Sequence, residues 1–218
     1  MTAEPLGDQA VLVRPGDEAA AFAWGEAARR AAPAWLHDVV VAYTAVGVHF
    51  DADRVSLADV IAWANSLRVA EARRPDSTPV VIPVCYERQL DLARVAGLTG
   101  LSADAVIAAH AGTPYTVYAI GFVPGFPYLG YLPASLQGVP RLGSPRLRVE
   151  PGSVGLTGRQ TGVYPLARPG GWNIVARTPL TLVDVAAGYF PLRVGMAVTF
   201  ARIDEAEFTR LDGTRLSG

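Results

Sequence analysis

Tyr115-Thr116-Val117-Tyr118-Ala119-Ile120-Gly121-Phe122-Val123-Pro124-Gly125-Phe126-Pro127-Tyr128-Leu129-Gly130 decides how the chain is read. The β-branched and aromatic run Thr116 to Ile120 reads as a strand, and the glycines and prolines after it force turns. The same alternation continues outward. Ser153 to Thr157, Trp172 to Ala176, Leu180 to Val185 and Ala197 to Ile203 read as strands set between Gly/Pro turns, the pattern of a β-barrel or sandwich. Glycine and proline number 25 in residues 112–195 but 12 in the first 111, so helices are expected early and a turn-rich β region late.

Towards the N-terminus the period changes. Ala10 to Arg14 reads as a strand stopped by Pro15-Gly16, and Asp17 can cap an Ala-rich helix that ends before Pro33. Val39 to Tyr43 and Ala45 to Phe50 form one long strand or a hairpin. Ser56, with Asp59 three residues on, starts a second helix whose apolar face holds Leu57, Val60, Ile61, Ala64 and Leu67. This β-α-β-α order predicts a small α/β domain. Arg73 to Pro79, polar and carrying two prolines, is the expected linker, so the domains are placed at 1–77 and 78–218. Val80 to Tyr86 reads as a strand, followed by helices from Gln89 to Ala96 and from Ser102 to His110, the second capped by Ser102. The expected fold class is α+β.

Composition narrows the chemistry. The chain has 218 residues, half of them hydrophobic, and a net charge of -1, so no overall field draws nucleic acid or anionic lipid. All 19 basic residues are arginine, which removes Schiff bases, biotinyl-lysine and a P-loop lysine from this chain. Cys85 is the single cysteine, so no intrachain disulfide forms, and His37, His49 and His110 stand at no zinc-motif spacing. Residues 105–140 carry no Asp, Glu, Lys or Arg, but ten glycines and prolines interrupt them, which suits no bilayer helix. The start, Met1 to Pro5, has no signal-peptide pattern, and a cytoplasmic protein is expected.

Three segments could carry a site. Gly121 to Gly130 holds Phe122, Phe126 and Tyr128 between Pro124 and other turn residues, which suits a pocket wall, a partner surface or a core-filling loop. Arg141, Arg146 and Arg148, then Gln160 and Tyr164, could read a small acid or amide, since guanidinium forks carboxylates and a carboxamide both donates and accepts. The same arginines suit a solvated strand face. Arg168 to Pro179 adds a glycine pair, the stacking face of Trp172, and Arg177 and Thr178 at a strand end, or else a tight hairpin around a core Trp. His110 ends its helix and is either a core histidine or a general acid/base. Neither a Gly-x-Ser-x-Gly elbow nor a Gly-x-Gly-x-x-Gly fingerprint is present.

GFVPGFPYLGYLP (121–133), PRLGSPRLRVEPGSV (140–154), GRQTGVYP (158–165) and RPGGWNIVARTP (168–179) together resemble the family that holds the B subunit of 5-oxoprolinase, KipI and allophanate hydrolase subunit 1, the carboxyltransferase domain of subdomains C and D. The likeness extends more loosely to Gly7-Asp8 and Pro83 to Tyr86. In three places the chain departs from the family pattern. Glu87 to Leu90 replaces a Gly-rich acidic loop, Val149-Glu150-Pro151-Gly152 replaces Val-Pro-x-Gly, and Gly195-Met196 stands for Gly-Asp.

The resemblance implies a small N-terminal α/β domain followed by a cyclophilin-like β-barrel. It also implies a heteromeric complex with a KipA-like 5-oxoprolinase C subunit and a LamB/YcsF-type A subunit, using ATP at the level of the complex to convert 5-oxoproline to glutamate. By this likeness His110, Arg146, Gln160, Tyr164 and Arg177 are candidate catalytic positions; Phe122, Pro124, Phe126, Tyr128, Trp172 and Thr178, read from the residues themselves, are the candidate substrate or partner surface. No metal and no cofactor on this chain alone are expected, and the chain is expected to be inactive by itself on a small carboxylate or lactam. The same family leaves open an inhibitor of a sensor histidine kinase and the carboxyltransferase half of a urea carboxylase. Peptidyl-prolyl isomerisation rests on fold analogy alone.

Overall fold

The computed structural model describes residues 1–69 and 78–216. Most of the expected linker, residues 73–77, lies outside the described residues. The chain divides into two compact units, Met1–Asp76 and Ser77–Gly218.

In the first unit, strands β1 (Thr2–Pro5), β2 (Ala10–Arg14), β3 (Leu36–Ala42) and β4 (Ala45–Phe50) form an antiparallel sheet in the order β1-β2-β4-β3. Helix α1 (Glu18–Ala31) packs on β3 and β4, and α2 (Leu57–Ser66) on β1 and β2. Both helices start where the sequence pattern places them. Asp17 accepts the Ala20 N–H at 2.8 Å, and Ser56 accepts the Asp59 N–H at 3.2 Å, caps worth about 1 kcal/mol each. A Cβ on Gly25 would collide with Val41, so this mid-helix glycine lets α1 settle onto the sheet. Trp24 of α1 and Trp63 of α2 meet edge to face, with ring centroids 5.9 Å apart.

The second unit is a seven-stranded, nearly closed barrel-like sheet. Its strands are β5 (Val80–Val84), β6 (Tyr115–Ile120), β7 (Pro127–Gly130), β9 (Ser153–Thr157), β10 (Gln160–Val163), β12 (Asn173–Arg177) and β13 (Ala197–Arg202), in the order β12-β9-β10-β7-β6-β13-β5. Strand β8 (Arg146–Val149) pairs with β11 (Arg168–Gly170) as a separate ribbon. Helices α3 (Leu92–Thr99) and α4 (Ala103–Ala111) pack on β12 and β13, and α5 (Glu205–Leu211) follows the last strand. The edge strands β5 and β12 meet at one bridge. The Cys85 N–H donates to the Arg177 carbonyl at 2.8 Å, and the Arg177 N–H returns to the Cys85 carbonyl at 3.0 Å. Burial and its hydrogen bond to Glu87 push the Cys85 thiol up to about 11, which keeps it protonated and unreactive.

The closure continues into the start of α3. The Leu90 and Asp91 N–H groups both donate to the Ile174 carbonyl, and the Asp91 carboxylate accepts the Ile174 N–H at 2.7 Å and the Arg146 guanidinium at 2.7 Å. Asp91 is only 7% exposed, so its charge depends on these partners.

Several expectations are corrected. The helix expected over Gln89 to Ala96 begins at Leu92, because Asp91 is used in closure and Gln89 instead accepts the Leu92 N–H at 2.9 Å. Leu180 to Val185 is not a strand. Leu182 and Val183 are buried there, but the backbone makes only isolated bridges, Thr181 with Arg215 and Asp184 with Tyr189.

Replacing Asp91 by Ala leaves the Arg146 charge and the Ile174 N–H without their acceptor, and should cost about 3 kcal/mol in urea unfolding. Asp91→Asn, which can still accept from Ile174, should cost less. A loss below about 1 kcal/mol for Asp91→Ala would show that the bridge alone closes the barrel.

Candidate functional site

The segment after β6 makes a tight turn. The Val123 N–H donates to the Gly121 carbonyl at 2.7 Å, the Phe126 N–H to Val123 at 3.1 Å, and Phe122 sits at φ 66°, a conformation that costs a non-glycine residue energy. The turn leaves Phe122 58% exposed and buries Phe126 to 1%. Phe126 is the hub of a ring cluster. Tyr128, Tyr164, Trp172 and Phe122 meet it edge to face at 4.9, 5.2, 5.5 and 5.5 Å.

Glycines from other motifs seat these rings. A Cβ on Gly162 would lie 2.9 Å from the Phe126 ring and 2.7 Å from the Pro127 carbonyl, and one on Gly170 would lie 2.9 Å from the Tyr164 ring and collide with its hydroxyl. Above the cluster opens a cavity of about 290 Å³, walled by Phe122, Phe126, Tyr128, Tyr164 and Trp172. Pro145, Pro169, Gly170 and Gly171 close its sides, and among the described residues Arg141 is its one charged lining residue. Burial raises the pKa of both Tyr128 and Tyr164, so the phenols stay protonated.

The cleft therefore gathers Phe122, Phe126, Tyr128, Tyr164 and Trp172 from the sequence candidates, while Pro124 is exposed in the turn and lines nothing. Arg146 does not line the cleft; its guanidinium is committed to Asp91, and its Nη1 is buried without a partner among the described residues. Arg177 closes the barrel, and its Nε donates to the Pro151 carbonyl at 2.9 Å. Thr178 is 2% exposed, and its N–H donates to the Gly152 carbonyl at 2.9 Å. Gln160 opens β10 opposite Gly130 and Thr157 and lines no part of the cleft.

His110 is 0% exposed and stacks on Phe200 with ring centroids 4.8 Å apart. Its hydrogen bonds fix the tautomer. The Thr161 hydroxyl donates to the Gly155 carbonyl at 2.9 Å, so Thr161 accepts the His110 Nε2–H at 3.0 Å, and His110 Nδ1 accepts the Tyr86 O–H at 2.7 Å. Both ring nitrogens are thus engaged within the barrel.

Asp91 is not legible in the sequence at all, and Arg141 only as one of three neighbouring arginines. Asp91 has no local signature, since its partners lie 55 and 83 residues away. Arg141 shares the repeated tripeptide Pro-Arg-Leu with Arg146, and nothing local distinguishes the paired copy from the other.

Residues 1–190 match the family model of the carboxyltransferase domain, subdomain C and D. The 5-oxoprolinase B subunit of Bacillus subtilis is 34% identical over 229 residues, spanning 94% of each chain. That of Escherichia coli O157:H7 is 48% identical over 141 residues, 63% of this chain and 62% of the relative. The crystal structure of TTHA0988 is similar with a TM-score of 0.80 at 36% identity over 90% of this chain, which spans 40% of that longer one. The Kluyveromyces lactis urea amidolyase shares the fold with a TM-score of 0.72 at 17% identity, over 96% of this chain and 15% of its own.

Burial holds the His110 pKa down to about 3 from its ordinary 6.5. An unfolded histidine takes a proton near pH 6.5 and the folded one does not, so this group's contribution to stability is present above pH 6.5 and is lost as pH falls towards 3. Between pH 7 and pH 5 the loss should be about 2 kcal/mol. Urea unfolding of wild type and His110→Gln at both pH values checks this, and the variant should show a correspondingly smaller drop. Equal pH dependence in the two proteins would mean that the buried imidazole already carries its proton.

Proposed function

Because the chain belongs to the carboxyltransferase-domain family of subdomains C and D, we propose that it is the B subunit of an ATP-dependent 5-oxoprolinase, which opens 5-oxoproline to glutamate. The observation that carries this reading is the match to the Bacillus subtilis 5-oxoprolinase B subunit, which runs the length of both chains. The partners are a KipA-like C subunit and a LamB/YcsF-type A subunit, and the complex works in the cytoplasm. ATP belongs to the complex. This chain has no lysine, so any lysine that grips its phosphates comes from another chain.

Surface composition supports a partner. Leu147 is 91% exposed on β8, Leu90 63% exposed beside Asp91, and Phe122 58% exposed at the cleft, all on the barrel unit. Of the candidate catalytic positions, Tyr164 is the one that lines the cleft. Arg146 and Arg177 hold the backbone around it.

The test is co-expression with the A and C subunits, followed by measurement of glutamate released from 5-oxoproline with and without ATP. Release should need ATP and all three chains, with none from this chain alone. A complete complex that releases no glutamate would overturn the function, and turnover by the lone chain at the rate of the complex would overturn the need for partners.

A further inference from the structure

We propose that Arg141 is the anion-binding residue of the aromatic cleft, and that the ligand it holds there is a compact ring bearing a single carboxylate. The first observation is charge. Arg141 is the one charged residue lining the cleft, and among the described residues it makes no hydrogen bond or ion pair. Its neighbours are committed, Arg146 to Asp91 and Arg148 to Glu150. An unpaired guanidinium at the mouth of an apolar cleft is poised for a carboxylate, because the fork fits both oxygens and no internal acid must first be displaced.

The second observation is the set of polar atoms around it. Arg141, Tyr128 and Tyr164 line the same cleft. Burial keeps both phenols protonated, so each hydroxyl carries a proton it can donate. A guanidinium and phenolic O–H donors, with no acidic side chain lining the cleft, select an anion. One positive charge balances one negative charge, so a monocarboxylate fits better than a polyphosphate.

The third observation is preorganisation. Residues on both sides of Arg141 are tied down, the Pro140 carbonyl by Asn173 Nδ2 at 2.9 Å and the Leu142 N–H by the Gly171 carbonyl at 2.8 Å. The backbone is thereby fixed while the exposed side chain is free to turn to a ligand. Ring walls and a volume of about 290 Å³ suit a small apolar body behind the carboxylate. Only the identity of the natural ligand, 5-oxoproline, rests on the function proposed above. The preference for a ring monocarboxylate stands on the cleft itself.

Trp172, the one tryptophan of the second unit, lines the cleft and serves as the reporter. The purified chain is titrated with 5-oxoproline, cyclopentanecarboxylate, cyclopentanecarboxamide and pyrophosphate while its fluorescence is followed. Both carboxylates should give saturable changes, with the carboxamide at least tenfold weaker and pyrophosphate without effect. Arg141→Gln should weaken carboxylate binding at least tenfold at an unchanged melting temperature, whereas Arg146→Gln should lower the melting temperature. No saturable change with either carboxylate, equal binding of the carboxamide, or undiminished binding by Arg141→Gln would each overturn the proposal. Glutamate release by the complex separates the two readings. An active complex whose KM is unchanged by Arg141→Gln sinks this proposal and leaves the function standing. Arg141-dependent carboxylate binding by a chain whose complete complex is inactive does the reverse.

Discussion

One carboxylate at the start of a helix governs the second unit. Asp91 ties the head of α3 to the backbone of β12 and to the guanidinium of Arg146, beside the bridge where Cys85 and Arg177 join the two edge strands. Without closure, β5 and β12 would present rows of unpaired N–H and C=O groups, the liability that barrels remove by curling the sheet on itself. A buried acid is costly unless paired, and here the pairing is also what brings the edges together. The same contact fixes the loop between β7 and β8, since Arg146 is the first residue of β8.

The parts of this fold that were legible in the sequence are those whose causes are local. Asp17, Ser56 and Ser102 cap the helices they were expected to cap, and Ala10–Arg14 and Ser153–Thr157 are strands over the residues expected. The hairpin of β3 and β4 follows from two β-branched runs with only Tyr43 and Thr44 between them. Strands β8, β10 and β11 are three or four residues long, and two of them contain glycine, so propensity gives no signal and only their partners make them strands. Leu180 to Val185 fails in the opposite direction. Leu182 and Val183 are buried while Val185 is exposed, but burial does not require a ladder, and the segment runs as coil with isolated bridges.

The site shows the same division. That aromatic residues of 121–130 share a surface with Tyr164 and Trp172 could be suspected from their rigid settings, but their arrangement depends on contacts across motifs. Gly162 of one motif makes room for Phe126 of another, and Gly170 of a third makes room for Tyr164. Each motif supplies either a ring or the empty space that a ring occupies. A side chain at either glycine would force the cluster apart, so the motifs work as one unit although no stretch of sequence reveals the contact. His110 illustrates the limit from the other side. A lone histidine at a helix end is compatible with catalysis or with packing, and only the hydroxyls of Tyr86 and Thr161, brought in from two strand regions, define its protonation and tautomer.

The repeated Pro-Arg-Leu links the closure to the cleft. Its two arginines, five residues apart, are chemically identical and receive different work because Asp91 reaches only one of them. Arg146 is consumed by the closing ion pair, and that pair, with Asn173 on Pro140 and Gly171 on Leu142, pins the backbone of the segment between the two arginines. Arg141 is thus held at its Cα and left unpaired at its guanidinium, the combination a binding cation needs, since a mobile loop would lose ordering entropy with every ligand and a paired cation would have to give up its acid. The carboxylate that closes the barrel also determines which arginine remains available to the cleft, and so couples the stability of the fold to the electrostatics of its site.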